Sequence, residues 1–289
     1  RPGTRRIYEG YLRLYIRPEL GHIPLNRLTA KDMQQFFAWL KTEGRADQSD
    51  GKTGLTDSQL RNIHSLCWRA LEKAVSGNLI PQNPASGCKL PPARKGEMNL
   101  LSRESMQKLL IQAKEEKYYE LFLLEFATGL RLGELTALQW EDLNLTTGEL
   151  RISKQAVVIG SELVITEPKT KKSIRTIKMP NFLCEEIKEY LNMLYGIKPN
   201  DRMFVVTKSF LHHEMDRGSK AAGVKRIKIH GLRHSHISHL IDLGFSAVAI
   251  ADRVGHESID ITYRYAHLFP SKQVDMANKL DEERGDLLG

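Results

Sequence analysis

The sequence predicts a mainly α fold with a small antiparallel β-sheet, in which a small helical domain precedes a larger mixed α/β one. Three observations carry this. Apolar residues recur with helical period in the first 87 residues, a punctuated stretch without periodicity follows at 88–99, and a single Val/Ile/Thr-rich region near 149–179 lies among helical segments.

The first helix is expected from near Thr4, with Ile7, Tyr11, Leu14 and Tyr15 as its apolar positions, stopping before Pro18. Thr29 is the N-cap of a second helix, with Asp32 in its first turn, running to Gly44. A third spans about 56–76 and stops at Gly77. Its apolar set Leu60, Ile63, Cys67, Ala70, Leu71 and Ala74 leaves Arg61, Asn62, Ser65 and Arg69 on other faces. A turn at Asn83-Pro84-Ala85 closes the domain. The stretch Cys88–Asn99, with its Pro-Pro pair and Gly, reads as a linker. This gives a helical domain over 1–87, a linker over 88–99 and a second domain over 100–289.

In the second domain Ser102 caps a helix to about Lys114, and another runs from Lys117 to Thr128, ending at Gly129. Strands are expected at Leu150–Ile159, Glu162–Thr166 and Ser173–Met179. Helices return at about 181–195, 208–222, 230–243, 246–253 and 258–264, and an amphipathic stretch runs from Pro270 to about Arg284.

Composition narrows the class. Hydrophobic residues are 41% and charged ones 27%, as in a soluble globular protein, and no apolar run reaches the roughly 20 residues a membrane helix needs. The N-terminal residues are not a secretory signal, and the missing initiator Met suggests a chain whose natural beginning lies upstream. Cys67, Cys88 and Cys184 form no spaced framework, which points to reduced thiols in a cytoplasmic setting. The net charge of +8 is unevenly spread: residues 1–87 carry 13 Lys/Arg against 8 Asp/Glu, and residues 100–289 carry 27 against 26. A basic first third suits a polyanionic partner.

Three segments carry chemistry. In Thr128-Gly-Leu-Arg131-Leu-Gly-Glu134-Leu an arginine stands between a helix-ending Gly and a new short helix. In Ile229-His230-Gly-Leu-Arg233-His234, His230 and Arg233 lie at i and i+3 and can converge on one point. The third, Leu243–His267, holds Val254-Gly255-His256 and Thr262-Tyr-Arg-Tyr265-Ala-His. Breaking a phosphodiester without a metal needs fixed donors aimed at the non-bridging oxygens, where negative charge grows. Arg131 and Arg233 suit this, since a guanidinium offers a planar fork and keeps its charge. His230 and His256 can serve as acid or base near neutrality. A tyrosine phenol, with pKa about 10, can attack and later leave.

Together these segments resemble the catalytic motifs of the tyrosine recombinases, or phage-type integrases, and nearly the whole chain fits that family's layout of core-binding and catalytic domains. The resemblance implies Arg131, Lys169, His230, Arg233, His256 and Tyr265 as catalytic residues, in the family's order. Lys169, in Glu167-Pro-Lys169-Thr-Lys-Lys-Ser173-Ile-Arg175, takes the place of the hairpin lysine that protonates the departing 5′ oxygen, with Lys171 and Lys172 as competitors. The Tyr-Ala-His context selects Tyr265 over Tyr263. The two are separated by about 200° on a helix of 3.6 residues per turn, and Tyr263 is read as a packing residue. His234, His236 and His239 are read as packing or surface histidines rather than zinc ligands, and Glu134 either as support for the site or as solvent-exposed.

The resemblance further implies cleavage through a 3′-phosphotyrosine link with no cofactor and no ATP. Its partners would be double-stranded DNA recombination sites bound by a homotetramer, with a directionality factor or DNA-bending protein and a separate upstream arm-binding domain as further expectations. Arg61, Asn62, Ser65, Arg69, Lys225, Arg226 and Lys228 are the candidate DNA contacts, and the 270–284 stretch either docks on a neighbour or packs on its own domain. A type IB topoisomerase and a non-catalytic DNA-binding protein are the alternative functions.

Overall fold

A computed structural model describes residues 2–44, 53–92, 100–114, 116, 118–159, 162–168, 170–269 and 276–281. The chain divides into two compact units, Arg1–Gly96 and Glu97–Gly289.

The first unit is helical: α1 (Pro2–Tyr11), one wide turn at Leu12–Ile16, α2 (Arg17–Leu20), α3 (Ala30–Thr42) and α4 (Asp57–Ser76). The expected stop before Pro18 is corrected, because the chain stays helical to Leu20. The Arg17 N–H reaches back five residues to the Leu12 carbonyl, shifting the hydrogen-bond frame just ahead of the proline. Pro18 then falls in the first turn of α2, where a missing N–H leaves nothing unsatisfied.

Reciprocal caps start the two long helices. Thr29 Oγ1 accepts from the Asp32 N–H at 3.2 Å while the Asp32 carboxylate accepts from the Thr29 N–H at 2.9 Å. Thr56 and Gln59 do the same for α4. Met33, Phe36, Phe37 and Leu40 of α3 meet Leu60, Ile63, Cys67 and Leu71 of α4 in one core. The expected linker begins as part of this unit, since Cys88 and Leu90 pack against its core and the Lys89 N–H donates to Gln34 Oε1 at 3.0 Å. Residues 93–99 lie outside the described ones.

The second unit is built around a helix apolar on nearly every side. It contains α5 (Arg103–Ala113), α6 (Tyr119–Thr128), the short α7 (Leu132–Leu135), strands β1 (Leu143–Asn144), β2 (Glu149–Ile152), β3 (Gln155–Ile159), β4 (Glu162–Thr166) and β5 (Arg175–Lys178), then α8 (Asn181–Asn192), α9 (Lys208–Ala221), α10 (His230–Asp242), α11 (Ala247–Val254) and α12 (Ile259–Tyr263). Leu121, Phe122, Leu123 and Leu124 of α6 are all buried, as expected of a helix covered all round. It packs on α5, α8 and α10.

The single strand expected over Leu150–Ile159 is corrected to two strands in two sheets. β2 sits between β1 and β5, pairing Leu150 with Ile177, while β3 pairs with β4 in a separate two-stranded sheet, Val158 opposite Leu163. The break falls at Ser153-Lys154, where the Lys154 ammonium is drawn to Glu141 at 2.9 Å and Asp142 at 3.3 Å. Residues 276–281 are helical and exposed; the rest of the amphipathic stretch, 270–275 and 282–284, lies outside the described residues. Among the described residues no helix is long and apolar enough to cross a membrane.

Thr56→Ala removes the side-chain half of the α4 cap and is expected to lower stability by about 1 kcal/mol. Thr56→Ser, which keeps the oxygen, is expected to stay near the parent value. Urea denaturation of both variants measures the difference.

Candidate active site

The site forms where three helix ends meet. α6 stops at Gly129, which adopts φ +66°; a Cβ there would lie 2.4 Å from the His236 ring, so only glycine fits. The chain then turns so that Arg131 precedes α7. Its guanidinium donates from Nη1 to Glu134 Oε1 at 2.8 Å and from Nη2 to the Gly255 carbonyl at 2.8 Å.

Gly255 ends α11 in the same left-handed conformation, at φ +67°. A Cβ on it would approach the Arg175 guanidinium to 2.9 Å.

Arg233 lies between these two helix ends. It is 2% exposed and donates from Nη1 to the Gly129 carbonyl at 2.5 Å and from Nη2 to the Val254 carbonyl at 2.7 Å. Carbonyls at helix C-termini lack intrahelical donors and carry partial negative charge, so a guanidinium is a good partner for them. Burial disfavours the Arg233 charge, as does Arg131, while Glu134 supports it.

Glu134, left open between support and solvent exposure, is 3% exposed and bridges two arginines. Besides Arg131 it accepts from Arg175 Nη2 at 3.0 Å. Burial pushes its carboxyl up, but the Arg175 hydrogen bond and the charges of Arg175 and Arg131 outweigh that and hold it below the usual range. Arg175 also donates from Nε to the Arg253 carbonyl at 2.9 Å, tying β5 to the end of α11.

The imidazoles are neutral. His256 is buried, with Nδ1 hydrogen-bonded to Thr262 Oγ1 at 2.7 Å. Burial, then Arg233, Arg131 and Arg175, push its pKa down to about 3. His230 keeps an exposed edge, yet desolvation of its ring and the neighbouring His234, Arg233 and Arg131 push it down as well. The fixed positive charge of the site therefore resides in guanidinium groups.

Tyr265 is 2% exposed, its ring in a satellite cluster with Ile237, Ile241, Ile250 and Val254. Its hydroxyl is hydrogen-bonded to His234 Nδ1. Burial raises the phenol to about 12, against the lowering effect of Arg233 and Arg264.

The structure thus brings Arg131, His230, Arg233, His256 and Tyr265 together. Lys169 lies outside the described residues. Three positions on, the Lys172 ammonium donates to the Glu257 carbonyl at 3.2 Å, next to His256. Tyr263, expected to pack, is instead 54% exposed, because it lines an open groove with Phe245 and Phe269 rather than the core.

Of the three other histidines, His236 is buried beside Arg253 and Phe126, and His239 stacks on Phe126. His234 departs from the expectation, since it holds the phenol. It shares a face with His230, their ring centroids 4.8 Å apart. Sequence reasoning also passed over Arg175 and over Glu125, which is fully buried with both carboxyl oxygens lacking a hydrogen-bond partner. Burial pushes the Glu125 carboxyl well above the ordinary range, against the opposing charge of Arg233.

The candidate DNA contacts fall into different states. Asn62, Ser65 and Arg69 are exposed along α4, with the Arg69 guanidinium over the Tyr8 ring at 5.5 Å. Arg61 is half-buried and its Nη1 donates to the carbonyls of Pro91 and Pro92 at 3.0 and 3.2 Å. In the second unit Lys225 and Lys228 are exposed, and Arg226 is paired with Asp216 at 2.5 Å.

The chain is similar in sequence and fold to known proteins. Residues 99–272 match the phage integrase family, and residues 1–40 match the phage integrase N-terminal SAM-like domain. The chain is 30% identical over 247 residues to the ICEBs1 integrase of Bacillus subtilis, covering 80% of this chain and 67% of that one. It is 26% identical over 317 residues to a XerC-like tyrosine recombinase of Caldanaerobacter subterraneus, covering 98% and 78%. Among solved structures, the Tn1549 transposon integrase bound to transposon right end DNA superposes with a TM-score of 0.78 at 19% identity, over 98% of this chain and 94% of that one. A lambda integrase dimer bound to a core site gives 0.66 at 18% identity, over 92% and 88%.

The two buried carboxyls predict opposite pH behaviour. Glu134 has a lowered folded pKa, so its contribution is fully present above the ordinary value of 4.5 and is lost as pH falls through the folded value. Glu134→Gln is expected to cost about 3–5 kcal/mol at neutral pH and to lack that acid-side loss.

Glu125 keeps its proton when folded and releases it when unfolded, so its effect on stability worsens as pH rises above 4.5. Glu125→Gln is expected to flatten that decline. Denaturation series from pH 3 to pH 9, roughly the span over which carboxyl and histidine groups titrate, test both.

Proposed function

Because the chain belongs to the phage integrase family of tyrosine recombinases, we propose that it cuts and rejoins DNA through a 3′-phosphotyrosine link formed by Tyr265. The protein is a site-specific recombinase, and DNA recombination sites are its partners. The observation that supports the chemical reading best is the convergence of Arg131 and Arg233 on the Val254–Gly255 carbonyls, beside His256 and the Tyr265 cluster.

In this reading the scissile phosphate lies against Arg131 and Arg233, whose positive charges oppose the negative charge that accumulates as phosphorus becomes five-coordinate. Neutral His230 and His256 add hydrogen bonds without adding charge. The Tyr265 oxygen bonds to phosphorus as the bond to the 5′ oxygen breaks, and Lys169 supplies the proton that oxygen needs. The phosphate remains esterified, so the energy for rejoining is conserved and no ATP is required. A 5′ hydroxyl of the partner duplex then attacks the phosphotyrosine and releases the phenol.

DNA affinity is drawn from Asn62, Ser65 and Arg69 on α4 and from Lys225, Arg226 and Lys228 in the second unit, and falls steeply with salt. Four protomers act on two duplexes in the cytoplasm, with a directionality factor or DNA-bending protein selecting the outcome. The tail supports assembly. Residues 276–281 expose Met276 and Leu280, while an apolar groove of about 390 Å³ opens among Ile241, Phe245, Ala247, Tyr263 and Phe269. In the tetramer that groove receives the tail of a neighbour.

Tyr265→Phe is expected to abolish covalent trapping on nicked suicide DNA while leaving binding nearly intact, since only one hydroxyl is removed. Trapped complex at parental yield would overturn the assignment. Removing residues 276–289, or Phe245→Asp, is expected to leave single-site cleavage intact and abolish the four-protomer complex in native gels. A tetramer that survives both changes would overturn the docking.

A further inference from the structure

We propose that His234 is a catalytic residue, the general base that takes the phenolic proton of Tyr265 as its oxygen attacks phosphorus. The inference rests on Tyr265 being the nucleophile and adds the step that reading leaves unassigned.

Tyr265 is buried and its phenol is pushed up to about 12, so at neutral pH it carries its proton. A protonated phenol is a poor nucleophile, and the proton must leave as the phosphorus–oxygen bond forms. The described group on that hydroxyl is His234 Nδ1.

His234 can accept. Desolvation and the charges of Arg233 and Arg264 push its pKa down, which favours the neutral ring, and in the tautomer that carries its proton on Nε2 the Nδ1 lone pair accepts from the phenol. His256 is placed differently, since its Nδ1 is committed to Thr262. Arg131 and Arg233 are donors only.

Full transfer in the resting site runs uphill, from a phenol held near 12 to a weakly basic imidazole. The proton therefore moves during attack, because the oxygen loses its basicity as it becomes a phosphate ester. Phenolic O–H breaks and N–H forms at His234 Nδ1; phosphorus–oxygen bonding to Tyr265 forms and bonding to the 5′ oxygen breaks, that oxygen being protonated by the acid. On rejoining, the His234 imidazolium returns its proton to the departing phenolate. The neighbouring Ala266–Leu268 turn packs on α10, which keeps the phenol beside His234 as the phosphate arrives.

Single-turnover cleavage of suicide DNA by His234→Ala, His234→Asn and Lys169→Ala tests the proposal, on ordinary DNA and on DNA with a bridging 5′ phosphorothiolate. A sulfur leaving group needs no acid, so that substrate rescues loss of the acid but not loss of the base. His234→Ala is expected to slow cleavage about 10²–10⁴-fold with unchanged DNA affinity and no phosphorothiolate rescue, whereas Lys169→Ala is rescued. Asn keeps a hydrogen-bond acceptor but cannot hold the proton, so His234→Asn is expected to be as slow as His234→Ala.

Parental rates in His234→Ala would overturn the base. So would acceleration, which would make the contact a resting latch; phosphorothiolate rescue; and recovery in His234→Asn, which would reduce the contact to positioning. Failure of the Tyr265 reading is distinguishable, because Tyr265→Phe would then still trap DNA.

Discussion

The site depends on one buried guanidinium. Arg233 joins the carbonyl that ends α6 to the carbonyl that ends α11, and those helix ends carry Arg131 on one side and His256 on the other. Taking such a charge out of water is costly unless every donor finds an acceptor. Two helix C-termini provide acceptors with matched polarity. The same contacts bring three segments distant in the chain to one place, so charge solvation and assembly of the site are a single arrangement.

Glu134 extends this arrangement outward. It neutralises part of the charge that Arg131, Arg175 and Arg233 would otherwise concentrate, and it does so from the side of α7. Arg175 passes the constraint to β5, the strand that follows the lysine-bearing loop. Ionised Glu134 and proton-bearing Glu125 show how burial acts on one functional group in two settings: two arginines within hydrogen-bond reach keep the first charged, and the lack of any partner keeps the second neutral.

Much of this was legible in the residues. Periodicity and caps placed the helices of both units, because Thr29, Thr56, Ser102 and Gly129 act locally, and local rules decide local geometry. His230 and Arg233 at i and i+3 fall on one turn of α10, as their spacing required. What escaped notice depends on distant approach. The split between β2 and β3 turns on Lys154 meeting Glu141 and Asp142, and helix continuity through Pro18 turns on a wide turn that apolar spacing does not encode. The contact between His234 and Tyr265 requires the 259–268 segment to lie across α10. Glu125 looked like an ordinary acid in Leu123-Leu124-Glu125-Phe126, since nothing in that string tells that every side of α6 is covered. Lys169 remains an expectation of the family pattern.

The left-handed glycines ending α6 and α11 bear on how a genetic map of this enzyme would read. A screen for inactive alleles would return Gly129 and Gly255, because any side chain there collides with His236 or Arg175. Neither has a side chain to offer a phosphate, and the backbone N–H of each is committed to its own helix end. Sites scored as essential would thus outnumber those that touch the reacting atoms, and directed evolution toward new target sequences would do best to leave both codons fixed.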